Sequence, residues 1–211
     1  MSRRVNGYDP VKRVLDLVAS AVLIILTLPL QLVIGVIVAA RLGRPVLFRQ
    51  ARPGRDEKIF TLVKFRSMTN ADPAAGRVTD EQRLTPFGAA LRSTSLDELP
   101  TLINVLRGDM SFVGPRPLLP AYLERYSPEQ ARRHEVRPGI TGLAQASGRN
   151  AIDWETKLRL DVDYVDSRSF STDLKILWMT IRSVTRREGI SADGHVTAHE
   201  FRGSATEGRS L

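Results

Sequence analysis

The 211-residue chain contains no cysteine, which excludes a disulfide framework and any metal site built from thiolates. It also lacks zinc-finger spacing, an aromatic RNA-binding motif, a P-loop and the glycine pattern of a dinucleotide site. These absences disfavour nucleic-acid-binding proteins, kinases, P-loop ATPases and NAD-dependent enzymes. His195 and His199 stand four residues apart, but in a polar segment without a third ligand they do not indicate a metal site.

Positive charge is what the chain has in excess. Its 31 Lys and Arg against 23 Asp and Glu give a formal net charge of +8. Such a balance favours anionic partners, namely nucleic acid, phosphorylated small molecules or an acidic membrane surface. Because no nucleic-acid motif is present and a long apolar segment is, we expect phosphate groups and anionic lipid as partners, and no nucleic acid.

That apolar segment is an uncharged run of 24 residues from Leu17 to Ala40. As a straight helix it would be about 36 Å long, enough to cross a hydrocarbon core of about 30 Å. Pro29, near the middle of the run, predicts a kink. Basic residues flank both ends, whereas a spanning helix normally carries its basic excess on one side. A re-entrant hairpin in one leaflet is therefore favoured, with a spanning helix as the alternative, and either would set the basic flanks against anionic lipid.

The remainder of the chain predicts an α+β fold that is mainly helical with a small β element. We divide the chain into a membrane-inserted helix with basic flanks (1–44), a folded domain (45–187) and a polar, mobile tail (188–211). The predicted elements are strands over 46–49 and 58–65 joined by a turn at 52–54, a loop over 70–83, and helices over 96–106, from 128 towards 134, 154–165 and 173–187. The apolar side of the last helix predicts core packing, with a helix in the membrane interface as the alternative.

Two adjacent carboxylates, Asp97 and Glu98, stand at the predicted start of the helix over 96–106. One interpretation is structural, because Ser95 and Glu98 match a capping box and acids are favoured in a first helical turn. Pro100 makes that cap irregular, since it places a residue without an N–H in the first turn. The other interpretation is chemical: N–H groups at a helix start attract phosphate, and adjacent carboxylates suit Mg²⁺, with one acid acting as nucleophile or ligand.

Several segments carry groups suited to binding phosphate. They are Lys64 and Arg66 at the end of the second predicted strand, Arg116 between two prolines, a glycine-bearing loop over 138–142, and Arg149 just after it. Each signal alone is weak, because most arginines on loops are simply solvated. Their combination in one basic chain with a membrane segment indicates a phosphate site.

Longer motifs resemble the bacterial sugar transferase family, the monotopic phosphoglycosyl transferases. The resemblance runs from about Lys12 to Thr180, and an ordered series of this kind is far more specific than any short pattern. The motifs are PVLFRQARPG at 45–54, KFRSM at 64–68, LRSTSLDELPTLINVLRGDMSFVGPRP at 91–117, RHEVRPGITGLAQASGRN at 133–150 and LDVDYV at 160–165. With one hydrophobic segment and nothing before it, the chain resembles the minimal, single-domain form of the family.

The resemblance implies a reaction and a location. Family members move a sugar-1-phosphate from a UDP-sugar to undecaprenyl phosphate and release UMP. This is the first membrane step in making exopolysaccharide, capsule, O-antigen or other glycoconjugates. The chain would lie at the bacterial inner membrane, with the domain over 45–187 catalytic and on the cytoplasmic face. A membrane-tethered basic scaffold, or an anionic-lipid-binding protein without catalysis, is the alternative.

The resemblance also assigns roles to residues. Asp97 would be the nucleophile that forms an aspartyl-phosphosugar intermediate, and it would contact Mg²⁺. Glu98 would assist through proton or metal handling. Lys64, Arg116 and Arg149 match family positions linked to the substrate phosphates.

The family's re-entrant helix breaks at a Ser-Pro pair, and the membrane segment of this chain departs from that pattern. The matching pair is Leu28-Pro29, so the proline is kept and the serine hydroxyl is absent. Thr27, one place earlier, is the candidate to supply the missing hydroxyl. We therefore predict a hairpin break at Leu28 and Pro29.

Overall fold

The computed structural model describes residues 6–76, 78–148, 152–186, 201 and 203. Over these residues the protein is mainly helical with small two-stranded sheets, which confirms the predicted fold class at that level. The elements are α1 (Tyr8–Leu42), β1 (Leu47–Pro53), β2 (Ile59–Phe65), α2 (Asp80–Arg83), α3 (Pro86–Ser93), a 3₁₀ helix (Leu96–Thr101), α4 (Leu102–Arg107), β3 (Ser111–Val113), α5 (Pro128–Ala131), β4 (Gly139–Thr141), α6 (Leu143–Ser147), α7 (Trp154–Ser167) and α8 (Phe170–Arg186). Short 3₁₀ turns cover Arg55–Glu57, Pro73–Ala75, Pro120–Arg125 and Arg132–Glu135.

The apolar run forms the middle of α1, a helix of 35 residues. Within the described ranges it is the one helix long and apolar enough to cross a membrane. The helix continues through Leu28 and Pro29, so the predicted break does not interrupt it. Beside the proline, Thr27 donates a hydrogen bond to the Leu23 carbonyl oxygen (2.6 Å) and accepts one from the Gln31 side chain (2.9 Å). The threonine hydroxyl is thus hydrogen-bonded to the backbone carbonyl of Leu23, one turn earlier in the helix.

Both ends of α1 pack on the rest of the protein, whereas its middle does not. Near the start, Asp16 is buried and accepts a hydrogen bond from the Phe112 N–H (3.1 Å), and Lys12 pairs with Asp173 of α8. Near the end, apolar side chains of α1 join a buried cluster with β2 and α3, formed by Ile34, Val38, Leu42, Phe65 and Leu91. The apolar side chains between these two regions are largely exposed.

Strands β1 and β2 form an antiparallel hairpin, with Leu47 opposite Phe65 and Pro53 opposite Ile59. The predicted turn at 52–54 is wrong, because β1 continues to Pro53 and the chain reverses over 54–58. The Gly54 N–H closes this turn on the Lys58 carbonyl oxygen at 2.9 Å. Proline is tolerated at the last residue of an edge strand, where its missing N–H breaks no ladder.

The polar segment over 70–83 is not all loop, as we had predicted it to be. Its last four residues form α2, because Thr79 and Gln82 make a reciprocal capping box at the helix start. The other helical predictions are confirmed with adjusted bounds: α4 ends at Arg107, followed by Gly108 with φ of 94°, and the capping box at Ser127 begins α5.

Helix α8 does not pack its predicted apolar side into the core. Leu174, Trp178 and Ile181 are exposed, whereas Asp173 and Ile176 face the protein. The prediction of core packing is therefore wrong for these three side chains, and the interface-helix alternative stays a prediction.

Of the tail predicted over 188–211, the structure describes Phe201 and Gly203. Phe201 is 3% exposed and packs on three aromatic rings at centroid distances of 5.7 Å (Tyr122), 5.7 Å (Tyr126) and 5.4 Å (Trp154). The rest of the tail, with its predicted mobility, lies outside the described residues.

Candidate active site

The 3₁₀ helix Leu96–Thr101 carries both predicted catalytic acids, so we call it the dyad helix. It runs into α4, and both lie along β2. Thr101 Oγ1 donates to the Val63 carbonyl oxygen (2.9 Å), and Asn104 accepts from the Val63 N–H (3.1 Å) and donates to the Thr61 carbonyl oxygen (2.8 Å). Because these polar side chains are buried, their bonds to β2 fix the register between strand and helix. Lys64, the next residue of the strand, is thereby brought to the dyad helix.

The capping-box interpretation of the dyad is wrong. Ser95 lies in the left-handed region with φ of 57° and its side chain makes no cap hydrogen bond. A capping residue normally has an extended backbone that aims its hydroxyl at the free N–H groups. Glu98, the other half of the expected box, is turned towards two basic side chains instead.

Glu98 is held between Lys64 and Arg116. Its carboxylate is hydrogen-bonded to Lys64 Nζ, and Arg116 Nη2 lies 3.5 Å from Glu98 Oε1. Burial alone would raise the pKa of Glu98, but Lys64 and then Arg116 outweigh it and hold the pKa below its ordinary value. Glu98 is therefore ionised at neutral pH, and its charge fixes the positions of two cations.

Asp97 is in the opposite state. It is 8% exposed and makes no hydrogen bond or ion pair with any residue that the structure describes. Burial raises the pKa of Asp97 to about 6, and the charge of Glu98 adds to that rise, against the lowering effect of nearby cations. A poorly solvated carboxylate without a partner is suited to attack an electrophile or to bind a metal ion.

One cation at the dyad was not among our predicted site residues. The charge of Arg92, at the end of α3, lowers the pKa of Asp97, and Arg92 Nε donates to Ser67 Oγ at 2.9 Å. Burial lowers the pKa of Arg92 itself, and Asp97 opposes this effect. The sequence holds a signal for it, because Arg92 stands five residues before Asp97 inside the 91–117 motif.

Arg116 is presented as its two prolines predict. Pro115 and Pro117 are buried, and the Arg116 side chain is 49% exposed. The glycine-bearing segment over 138–142 is not a free phosphate loop, since it forms β4 and pairs in parallel with β3. The Gly139 N–H donates to the Pro115 carbonyl oxygen at 3.0 Å, so it supports the Arg116 segment instead of an anion.

Arg66, another predicted phosphate contact, is engaged by other groups and does not lie at the dyad. Arg66 is buried, and its guanidinium donates to the carbonyl oxygens of Met68 (2.7 Å) and Arg44 (3.0 Å) and to the Asn70 side chain. These hydrogen bonds link the segment after β2 to the segment before β1. Arg149 lies outside the described residues, and its phosphate contact stays a prediction.

Asp97 is the acid of this site that could hold a magnesium ion, with phosphate oxygens of a ligand completing the coordination. Within the described ranges, no group of three or more His, Asp or Glu side chains could hold a metal by itself. Mg²⁺ is commonly held by one or two carboxylates, with substrate phosphates and water completing its octahedron. Asp97 has a free carboxylate for this purpose, whereas Glu98 is occupied by cations.

Replacing Asp97 with Asn should stabilise the protein at alkaline pH. Its pKa is about 6 in the folded protein and about 3.9 in an unfolded chain. Ionisation of Asp97 therefore opposes folding by about 3 kcal/mol, fully above pH 6, less as the pH falls, and hardly at all near pH 4. We expect the thermal unfolding temperature of Asp97→Asn to exceed that of wild type at pH 8 and to approach it near pH 4.

The exposed residue Asp56 provides the control, since Asp56→Asn removes the same formal charge from the surface. It should show no comparable gain at pH 8. An equal gain for Asp97→Asn at both pH values would contradict the raised pKa.

In the part of the chain that the structure describes, these features are one helix suited to membrane insertion and an acidic pair, buried Asp97 and half-buried Glu98, among the three cations Lys64, Arg92 and Arg116. Such a cluster of cations attracts anions such as phosphate groups, and the Asp97 carboxylate beside it makes no ion pair among the described residues. The family model of the bacterial sugar transferases matches residues 7–187, and the chain belongs to that family.

Individual relatives cover most of this chain. The chain is 54% identical over 194 residues to the uncharacterized sugar transferase EpsL of Bacillus subtilis, covering 92% of this chain and 96% of that protein. It is 41% identical to the UDP-glucose:undecaprenyl-phosphate glucose-1-phosphate transferase of Caulobacter vibrioides, over 82% of this chain and 69% of the relative. It is 39% identical to the undecaprenyl-phosphate galactose phosphotransferase of Salmonella typhimurium, over 84% of this chain. The match spans 41% of that longer relative.

Proposed function

We propose that this protein transfers a sugar-1-phosphate from a UDP-sugar to undecaprenyl phosphate and releases UMP. The observation that carries the proposal is the contrast within the dyad, where Glu98 is ionised and holds two cations while Asp97 is buried without a partner. The names of the Caulobacter and Salmonella relatives support undecaprenyl phosphate as the acceptor, and that of the Caulobacter relative supports a UDP-sugar as the donor. Names of other relatives, such as an exopolysaccharide production protein, support a role in polysaccharide synthesis.

In the first step, a carboxylate oxygen of Asp97 attacks the phosphorus that bears the sugar. A bond forms between that oxygen and the phosphorus, the bond to the bridging oxygen breaks, and UMP leaves with the electron pair. The protein is left with an aspartyl-phosphosugar on Asp97. In the second step, a phosphate oxygen of undecaprenyl phosphate attacks the same phosphorus and the Asp97 carboxylate leaves unchanged. Water-soluble donor and lipid acceptor therefore need not be bound together.

The cations address the main barrier to the first step, which is repulsion between a carboxylate and an anionic diphosphate. Lys64 and Arg116, positioned by Glu98, would attract the phosphate oxygens, and Arg92 would balance charge on the Asp97 side. A magnesium ion held by Asp97 and the diphosphate would neutralise further charge on the transferred group. Positioning and charge balance are most of what phosphoryl transfer requires of a protein.

We further propose that α1 is re-entrant and that its two ends lie on the cytoplasmic side of the inner membrane. Asp16 and Val38 are 22 positions apart, about 33 Å along a straight helix, yet each is buried against the same domain. A helix that crosses the bilayer would carry one of these contacts to the far side. The basic flanks of both ends are suited to the anionic lipids of one leaflet.

Helix α8 would add a second membrane contact, in the interface. Its exposed face carries Phe170, Leu174, Trp178 and Ile181, with Lys175 and Arg182 at the sides. Tryptophan and basic residues are favoured at the boundary between headgroups and hydrocarbon. The site would then lie at the depth of a polyprenyl phosphate headgroup.

The activity is tested by UMP release from a panel of UDP-sugars, with undecaprenyl phosphate and protein in detergent micelles. We expect one or more sugars to give turnover that EDTA abolishes and magnesium restores. Release of no UMP from any UDP-sugar would favour the membrane-tethered scaffold, which needs no chemistry at the dyad. Turnover that is unchanged by EDTA would contradict a role for magnesium in the reaction.

The topology is tested by single cysteines, since the chain has none of its own. Ser2→Cys and Glu57→Cys place one thiol before α1 and one in the turn after it. In intact cells, both should be protected from a membrane-impermeant maleimide and should react after permeabilisation. Labelling of residue 2 alone from outside would establish a spanning helix.

A further inference from the structure

The segment over 115–117, which presents Arg116, is anchored through its carbonyl groups. Its first carbonyl accepts from the Gly139 N–H (3.0 Å), its second from Arg133 Nη2 (2.7 Å) and its third from Arg52 Nη1 (3.2 Å). Two of its three residues are proline and lack an N–H. The carbonyl groups are therefore the main points at which the rest of the protein can form hydrogen bonds with this backbone.

The hydrogen bond to the Arg116 carbonyl comes from an arginine in a buried ion pair. The side chains of Arg133 and Asp161 are 1% and 5% exposed. Arg133 Nε and Nη2 donate to Asp161 Oδ2 at 3.1 and 2.7 Å, and Arg133 Nη1 donates to the Tyr126 hydroxyl at 3.2 Å. The same Nη2 that bonds Asp161 also bonds the Arg116 carbonyl oxygen, so the aspartate orients the guanidinium that holds the segment.

We propose that Arg133 and Asp161 are positioning residues for Arg116, which they hold so that its guanidinium meets Glu98 and the diphosphate of the donor. The proposal rests on the proposed function and deepens it. Neither residue touches the dyad through any contact in the described part of the chain; each acts through the Arg116 backbone. Arg52, which donates a hydrogen bond to the next carbonyl, is a third positioning residue.

Packing alone does not account for an ion pair at this place. Moving two charges out of water is costly, and apolar side chains of similar size commonly fill such a site equally well. Apolar side chains cannot donate a hydrogen bond to a backbone carbonyl, however. A charged guanidinium makes a stronger and more directional bond to that oxygen than a neutral donor does. The ion pair thus does what apolar side chains of similar size could not do, since it holds the Arg116 carbonyl by a charged hydrogen bond.

The test replaces both charges at once, by Arg133→Met with Asp161→Leu, so that no unpaired charge remains buried. Loss of one hydrogen bond from a charged donor corresponds to about a tenfold change in an equilibrium constant. We expect kcat/KM for the UDP-sugar to fall about tenfold, mainly through a higher KM. In an Arg116→Ala background, the same double change should have less than about a twofold effect, because the residue it positions is gone.

An undiminished loss in the Arg116→Ala background would overturn the proposal, as would wild-type kcat/KM for the double variant. If the double variant does not fold, Arg52→Met is measured in its place with the same two-background design and the same criteria. Tyr126→Phe is the matched control, since it removes one partner of Arg133 and leaves the bond to Arg116. It should keep kcat/KM within about twofold of wild type.

A binding measurement separates this proposal from the proposed function. UDP affinity, measured by calorimetry, should be weaker in Arg133→Met/Asp161→Leu than in the wild type. When the same double change is made in the Arg116→Ala variant, it should not weaken UDP affinity further. Absence of UMP release by the wild type would defeat the proposed function. Equal UDP affinity of wild type and double variant would defeat the positioning role.

Discussion

Asp97→Asn is expected to lower UMP release by at least about a thousandfold while the protein stays folded and binds its donor. Removal of a covalent nucleophile costs several powers of ten in other enzymes, because no neighbour can form the same bond. The amide keeps the shape of the carboxylate but cannot attack phosphorus. Since the change also removes a negative charge from the donor site, affinity for the UDP-sugar in magnesium-free buffer should be equal to or tighter than that of the wild type.

The measurement combines initial rates of UMP release with calorimetric binding of the same UDP-sugar. Asp56→Asn, at the exposed hairpin turn, is the control and should keep the wild-type rate. Near-normal turnover by Asp97→Asn would refute the nucleophile. Lost turnover together with lost donor binding would instead mean that Asp97 is needed to form the site.

Lys64→Met is expected to give the second-largest loss, about a hundredfold or more in kcat/KM. Lys64 is the strongest of the influences that keep Glu98 ionised, so its loss lets burial raise the pKa of Glu98. The variant also removes a cation from the path of the diphosphate, and the loss of one preorganised donor alone costs about a hundredfold or more. The pH at which activity falls off on the acid side should move upward.

Lys58→Met is the matched control, because it makes the same substitution at an exposed residue beside the same hairpin. Equal losses from both variants would mean that net charge, and not the contact with Glu98, matters. Thermal unfolding of both variants shows whether a loss of activity is due to a loss of folded protein. Glu98→Gln combined with Lys64→Met should recover stability that Lys64→Met loses, without recovering activity, since the unpaired buried charge is gone.

The extent to which the sequence predicts this fold depends on how local the signals are. The helix of the apolar run, the capping box at Ser127 and the glycine after α4 act within a few residues and appear as predicted, whereas the predicted break at Leu28 and Pro29 does not. The interpretation of α8 failed because an apolar stripe has the same spacing whether it faces a core or a membrane. Only the contacts of Asp173 and Ile176 distinguish the two faces.

The residue types of the candidate site could be read from the sequence, whereas the contacts between them could not. Adjacent acids and a proline-flanked arginine can be read from the sequence, and the family motifs rank Asp97 as nucleophile. The left-handed backbone at Ser95, which defeats the capping box, depends on how α3 meets the dyad helix. Two features arise between segments that are distant in sequence, so no local pattern predicts them. They are the hydrogen bonds from Arg66 to carbonyl groups and the burial of Arg133 beside Asp161.

The central claim is that Asp97 itself takes up the sugar phosphate, and incubation with donor alone tests it most directly. Wild-type protein is mixed with a UDP-sugar labelled in the phosphate next to the sugar, without undecaprenyl phosphate, and then digested for mass spectrometry. We expect up to one equivalent of UMP, with the label on the peptide that carries Asp97, and its discharge when undecaprenyl phosphate is added. No label and no UMP until both substrates are present, in protein that then turns over normally, would contradict the account.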